Sequence, residues 1–435
     1  MSTRALVLSW LLFTALLGGY GAFRFTGRNQ SVYLPGVTSN GHYQIEMACR
    51  SCHTPFGGVT DEACLKCHAE ARDKADSHPE SKFNDPRNAD RVAKIDARKC
   101  TTCHTEHFPE ATNREGFTLP NDFCVECHAD VGTERPSHAG IAFTTCSDGG
   151  CHNYHDNRAL WEDYLKKHIG EPPLFAVAKV PVRGVLAVAN AAKPLVTKDQ
   201  DAPRTVKIAA AMLTEWEESA HAKAGVNCSG CHGGVGSAPW VNTPTLAVCA
   251  SCHAGENKGF REGKHGMRLA ADLSPMSPGL ARLPMKADAK ERELGCHSCH
   301  ASHRYDAKEA AVASCLGCHD DQHSQAYGQS PHFKLWQAEI AGTAEAGTGV
   351  SCATCHLPRM SGTTGQGVMV QHDQNDNLRP NEKMVLNVCT SCHGVGFSLD
   401  AMADAELVRK NFNGRPSKHV ASVDMVEKRA GQGKR

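Results

Sequence analysis

The chain has 435 residues, with 47 Lys and Arg against 47 Asp and Glu, so its formal charge is zero; this argues against nucleic-acid binding and against long-range steering of a charged partner. Aromatic residues reach only 6% while there are 22 cysteines, so a chain long enough for two domains is short of the flat apolar side chains that usually fill a core.

Residues 5–23 carry no charge and lie between Arg4 and the pair Arg24 and Arg28. A signal-peptide core runs to about 15 apolar residues and a bilayer span needs about 20. The length predicts that residues 1–28 are a retained signal-anchor, a transmembrane segment; Gly18, Gly19 and Gly21 leave a cleaved signal as the alternative.

Beyond it, Cys-x-x-Cys-His recurs ten times: Cys49/Cys52/His53, Cys64/Cys67/His68, Cys100/Cys103/His104, Cys124/Cys127/His128, Cys228/Cys231/His232, Cys249/Cys252/His253, Cys296/Cys299/His300, Cys315/Cys318/His319, Cys352/Cys355/His356 and Cys389/Cys392/His393. A wider copy, Cys146/Cys151/His152, uses the two remaining cysteines. Two thiols at this spacing form thioethers to a porphyrin edge, and the next residue turns its imidazole under the ring to bind iron. A zinc site wants two Cys pairs per metal with His optional, and a disulfide scaffold has no use for the His. The pattern therefore predicts eleven covalently bound haem c groups. The Gly149-Gly150 loop lets the wide copy bulge without moving its sulfurs from the porphyrin edge.

Five motifs lie before residue 153 and six after residue 227. The expected organisation is a five-haem domain over 29–170, a Pro/Ala/Val-rich connector over 171–211 with a short strand at 175–180, a six-haem domain over 212–413 and a polar C-terminal tail over 414–435. Motif intervals of about 20–30 residues are too short for a layered core. The fold class is mainly α with extensive loop and little β, organised by stacked haems. Helices are predicted over 160–168, 212–223, 308–315, 322–340 and 400–411.

Fourteen histidines remain after the eleven proximal ones, more than one per haem. Imidazole as second axial ligand lowers potential relative to thioether. His107, His155 and His303 sit three residues after a proximal His, and His323 four after. Each shares the face of that His and so reaches another haem rather than its own. His42, His221 and His332 precede motifs or lie on predicted helices, and His78, His138, His168, His265 and His372 stand in the intervals. His297, between two cysteines, and His419, in the tail, are set aside.

Residues 216–413 resemble the octahaem family of hydroxylamine oxidoreductase and tetrathionate reductase, on Ser-Ala-His221 leading into Cys228, on Cys315-Leu-Gly-Cys318-His319 followed by His323 and by Tyr327-Gly-Gln-Ser-Pro-His332, and on Gly-Val-Ser-Cys352-Ala-Thr-Cys355-His356. The resemblance implies distal-ligand roles for His221, His323 and His332. The first cluster is similar to small cytochromes of the c3 and c7 kind. No Tyr follows Tyr327 to supply the cross-link of hydroxylamine oxidoreductases, and all eleven motifs end in His where nitrite-reducing relatives carry one Lys.

The expected function is non-catalytic electron transfer across the periplasm through closely packed, mostly bis-His haems. Its partners would be redox proteins or a quinol-oxidising donor in the membrane, and the N-terminal segment would hold it on the periplasmic side of the bacterial inner membrane. The alternative is an oxidoreductase acting on a small nitrogen or sulfur compound at one open haem, with His323 or Lys264 as proton donor.

Overall fold

The computed structural model describes residues 2–26, 31–55, 57–69, 78–113, 116–147, 154–155, 162–178, 180–181, 193–233, 239–361, 367–378 and 383–432. Cys151 and His152 of the wide motif lie outside them. The fold is mainly α, in many short helices joined by loops. Among the described residues its strands are two small antiparallel hairpins, His53–Thr54 with Gly58–Val59 and Arg359–Ser361 with Val368–Val370.

The chain forms two compact units, Met1–Ala69 with Pro79–Phe143 and Glu70–His78 with Thr144–Arg435. In the first, the helix Thr3–Thr26 includes a 22-residue apolar stretch, Thr3–Arg24, long enough to cross a membrane and with none of its apolar surface buried. At 1.5 Å per residue such a stretch spans the hydrocarbon core, which is about 30 Å thick. Further on, Asp61 accepts a hydrogen bond from Cys100 N–H at 3.1 Å, docking the helix Asp61–His68 on the third motif. Among the described residues only Ala63 and Phe117 are buried apolar side chains in this unit. A fold of this length cannot stand on two such residues, so another apolar body must fill it.

The second unit has a protein core of Leu165, Ile169, Val385, Val395, Leu399, Met402, Val423 and Val426. Near the C-terminus, Ala421–Gln432 is a helix whose Val423 and Val426 enter that core. Fully burying each valine is worth about 1.5–3 kcal/mol. Residues 171–173 pack on the last motif, with Gly394 N–H on Pro172 O and Phe175 N–H on Cys392 O. No strand forms over 175–180 among the described residues, because Phe175 pairs with a motif carbonyl rather than with an extended neighbour.

Three expected helices are broken by caps. The first stops at Glu218 and restarts as Ala220–Lys223, with Ser219 Oγ accepting from Ala222 N–H at 3.1 Å. The second divides into Gln322–Ala326, a 3-10 turn Tyr327–Gln329 and Pro331–Ile340, since Pro331 has no N–H and Ser330 caps the new helix. The third becomes Val395–Ala403 and Ala405–Arg409, divided by the cap Asp404. These breaks turn His221, His323 and His332 to separate destinations.

Candidate haem sites

In six of the described motifs the turn places two thiols and an imidazole by backbone closure. The His N–H donates to the first Cys carbonyl at 2.9 Å in His104, His128, His300 and His319 and at 2.8 Å in His253 and His393. One helical turn therefore fixes both sulfurs relative to the ring that follows.

Across from these rings stand others. Two imidazoles on opposite faces of one first-row metal ion, with metal–nitrogen bonds of about 2.0 Å, have ring centroids about 6–6.5 Å apart. In the first unit His68 faces His42 at 5.9 Å and His53 faces His107 at 6.4 Å. In the second unit His253 faces His221 at 5.9 Å, His232 faces His303 at 6.0 Å and His356 faces His323 at 6.2 Å. There too His319 faces His265 and His393 faces His332, both at 6.3 Å, and His300 faces His372 at 6.4 Å. Every proximal His of the second cluster thus has an opposing imidazole. The interplanar angles run from 5° to 90°, as free rotation about a shared nitrogen–metal–nitrogen axis allows.

In five of these rings Nδ1 is engaged by a backbone carbonyl. Nδ1 of His107 meets Gly36 O at 2.8 Å, His232 meets Val241 O at 2.7 Å, His372 meets Val370 O at 2.9 Å and His393 meets Pro173 O at 2.8 Å. His323 Nδ1 meets Val408 O. A ligating His normally donates this N–H to such an acceptor, which points Nε2 at the metal. Asn411 also reaches His323 Nε2 at 3.1 Å, a contact that a metal there would displace. Burial, then the neighbouring His319, pushes His265 down to about 4; burial and His393 do the same to His332, and burial and His323 to His356. Those rings are neutral near pH 7 and keep a lone pair to donate.

Sulfurs of successive motifs adjoin as well. In the second unit Cys249 lies beside Cys296 and Cys315 beside Cys352, and in the first unit Cys64 lies beside Cys100. The porphyrin edges attached at these positions would lie side by side. These observations together fit haem: paired axial imidazoles, adjoining thiols and a first unit short of apolar filling.

The remaining candidates stand otherwise. His78 Nδ1 meets Tyr154 O at 3.0 Å and its ring stacks on Tyr154 at 4.2 Å. His155 lies edge-on to Tyr154 at 5.2 Å, His138 Nδ1 is 2.8 Å from Ser137 Oγ, and His168 Nδ1 is 2.8 Å from Glu171. His104 holds Gly116 O at 3.0 Å. His419 has both nitrogens on carboxylates, Asp400 and Asp424, which raise it to about 9.

Two features escape sequence reading. One is Glu106, whose carboxylate takes His42 Nδ1 at 2.5 Å and both Ser39 N–H and Ser39 Oγ at 2.8 Å. Its burial would raise it, but these hydrogen bonds outweigh that and hold it at about 2. The other is a repeat. His42, two motifs and a third motif with His107 three residues on correspond to His221, two motifs and a third with His303 three residues on. The ring pairings match in order: His42 with the second motif and His107 with the first, as His221 and His303 do. His107 and His303 even share a left-handed backbone, with φ of 67° and 69°.

Residues 41–129, which contain the first of these repeats, match the family described as Cytochrome c3. The chain is also similar to a cytochrome c-552 of Haemophilus ducreyi, 25% identical over 28% of this chain and 28% of that protein, so it spans under a third of that relative's length. Taken with the recurring Cys-x-x-Cys-His turns, these likenesses support a multihaem c-type cytochrome.

Proposed function

We propose that this protein carries eleven covalently bound haem c groups and transfers electrons across the periplasm without catalysing a reaction of its own. The observation that carries the reading is the set of eight facing imidazole pairs at 5.9–6.4 Å, which would leave those irons six-coordinate with no position for a substrate. Bound haem supplies a one-electron couple at each site. The chain's residues do the rest: cysteines tether, histidines set coordination, and backbone carbonyls on Nδ1 of His107, His232, His323, His372 and His393 hold those rings in one tautomer. Adjoining cysteines of successive motifs keep neighbouring sites in close sequence, as a conduit requires. The resemblance of residues 216–413 to octahaem oxidoreductases agrees with the facing of His221, His323 and His332 to His253, His356 and His393.

The oxidised holoprotein is expected to be low-spin in electron paramagnetic resonance at the paired sites. A high-spin signal amounting to one haem of eleven would favour the oxidoreductase alternative, in which one iron stays open to a small nitrogen or sulfur compound.

The helix Thr3–Thr26 supports anchorage on the periplasmic side of the inner membrane, facing redox proteins or a quinol-oxidising donor. Deleting residues 3–26 behind a substitute cleavable export signal should move the protein from washed membranes to the soluble fraction. Retention in the membrane after the deletion would count against the anchor.

A further inference from the structure

The two repeats offer corresponding haem positions that differ at the ring nitrogen turned away from the iron site. In each, the His eleven residues before the first motif's His faces the second motif's His, with centroids 5.9 Å apart in both. In the first repeat Nδ1 of that His, His42, is 2.5 Å from the Glu106 carboxylate. In the second, Nδ1 of His221 is buried and has no hydrogen-bond partner. The residue before the left-handed His is Glu106 in one repeat and Ser302 in the other.

A carboxylate on Nδ1 draws the proton toward itself and gives the ring imidazolate character, so Nε2 becomes a stronger donor and favours the oxidised, more positive iron. A ring without an acceptor is the weaker donor. Ser39 fixes the carboxylate through its N–H and hydroxyl, so Glu106 is held on His42 rather than free to turn to solvent. We propose that Glu106, acting through His42, is a positioning and tuning residue that lowers the reduction potential of the haem on Cys64, Cys67 and His68, and that this sets it apart from its repeat counterpart on Cys249, Cys252 and His253.

The inference rests on the haem reading above. Gln in place of Glu106 keeps an oxygen acceptor at the same reach but removes the charge. Redox titration of the full-length holoprotein, followed by absorbance and electron paramagnetic resonance, should show one component of E106Q rising by about tenfold in its reduction equilibrium, or 59 mV for a one-electron couple, with no high-spin signal beyond that of the wild-type protein. In an H42M background the same substitution should produce no further rise, because the residue through which it acts is gone. An unchanged titration in E106Q, a rise that persists in full with H42M, or a new high-spin signal in E106Q would overturn the proposal. A haem assay on the purified wild-type protein comes first: absence of haem overturns the underlying reading, whereas haem present with an unshifted E106Q overturns this proposal alone.

Discussion

Replacing His303 by Met is expected to raise the potential of one haem, that on Cys228, Cys231 and His232, by a sizeable part of the roughly 0.8 V range over which axial ligation tunes haem iron. His303 faces His232 at 6.0 Å with ring planes only 5° apart, and it follows His300 by three residues on a turn that aims it away from that motif. A thioether is the weaker donor to oxidised iron, so the reduced state gains. The backbone φ of 69° adds a small cost, since Met adopts the left-handed region less readily than His. Spectroelectrochemical titration should find a single component displaced upward, and intact mass should show every haem retained. An unaltered titration curve would remove His303 from the coordination scheme.

A second large effect is expected at a residue that is not itself a ligand and lies far in sequence from the histidine it would displace. The helix Ala254–Glu262 lies against the segment that carries His372, and Gly259 permits the approach. A Cβ at Gly259 would sit 2.9 Å from Gln371 Oε1, 3.1 Å from Asp373 N and 3.2 Å from His372 N. Backbone cannot yield as a flexible side-chain tip can. Gly259→Val should therefore push residues 371–373 outward, withdraw His372 from His300, and cost about 1–3 kcal/mol of stability through overpacking. The measurable outcome is a high-spin signal equivalent to one haem together with a lowered Tm. A spectrum as fully low-spin as that of the wild-type protein would show that His372 does not serve His300.

The sequence is most readable where covalent chemistry imposes spacing. Thioether attachment tolerates little variation, so the Cys-x-x-Cys-His turns and the loop-rich, mainly α fold could both be read from the chain. Helix breaks were also encoded, in Ser219 before Ala220, in Ser330-Pro331 and in Asp404, but the apolar periodicity running through them masked the caps. Pairing was illegible. His107 meets His53 across two intervening motifs, and nothing local distinguishes that partner from His68 or His128. Glu106 looked like an ordinary charged residue in a loop, because its role depends on a histidine that is distant in sequence. The C-terminal segment reads as polar because Val423 and Val426, with the half-buried Val420 and Met425 packed beside them, make too short a stripe to outweigh the surrounding charge.

The left-handed turns at His107 and His303 also bear on how the molecule is assembled. A chain exported from its N-terminus exposes Cys49, Cys52 and His53 well before residue 107 emerges, so on this pairing the first iron would wait with one axial position open until the third motif arrives. The second repeat would impose the same delay between His232 and His303. Those two sites would then be completed only as the third motif of each repeat arrives, whereas the site on His300 would wait longer still, for His372.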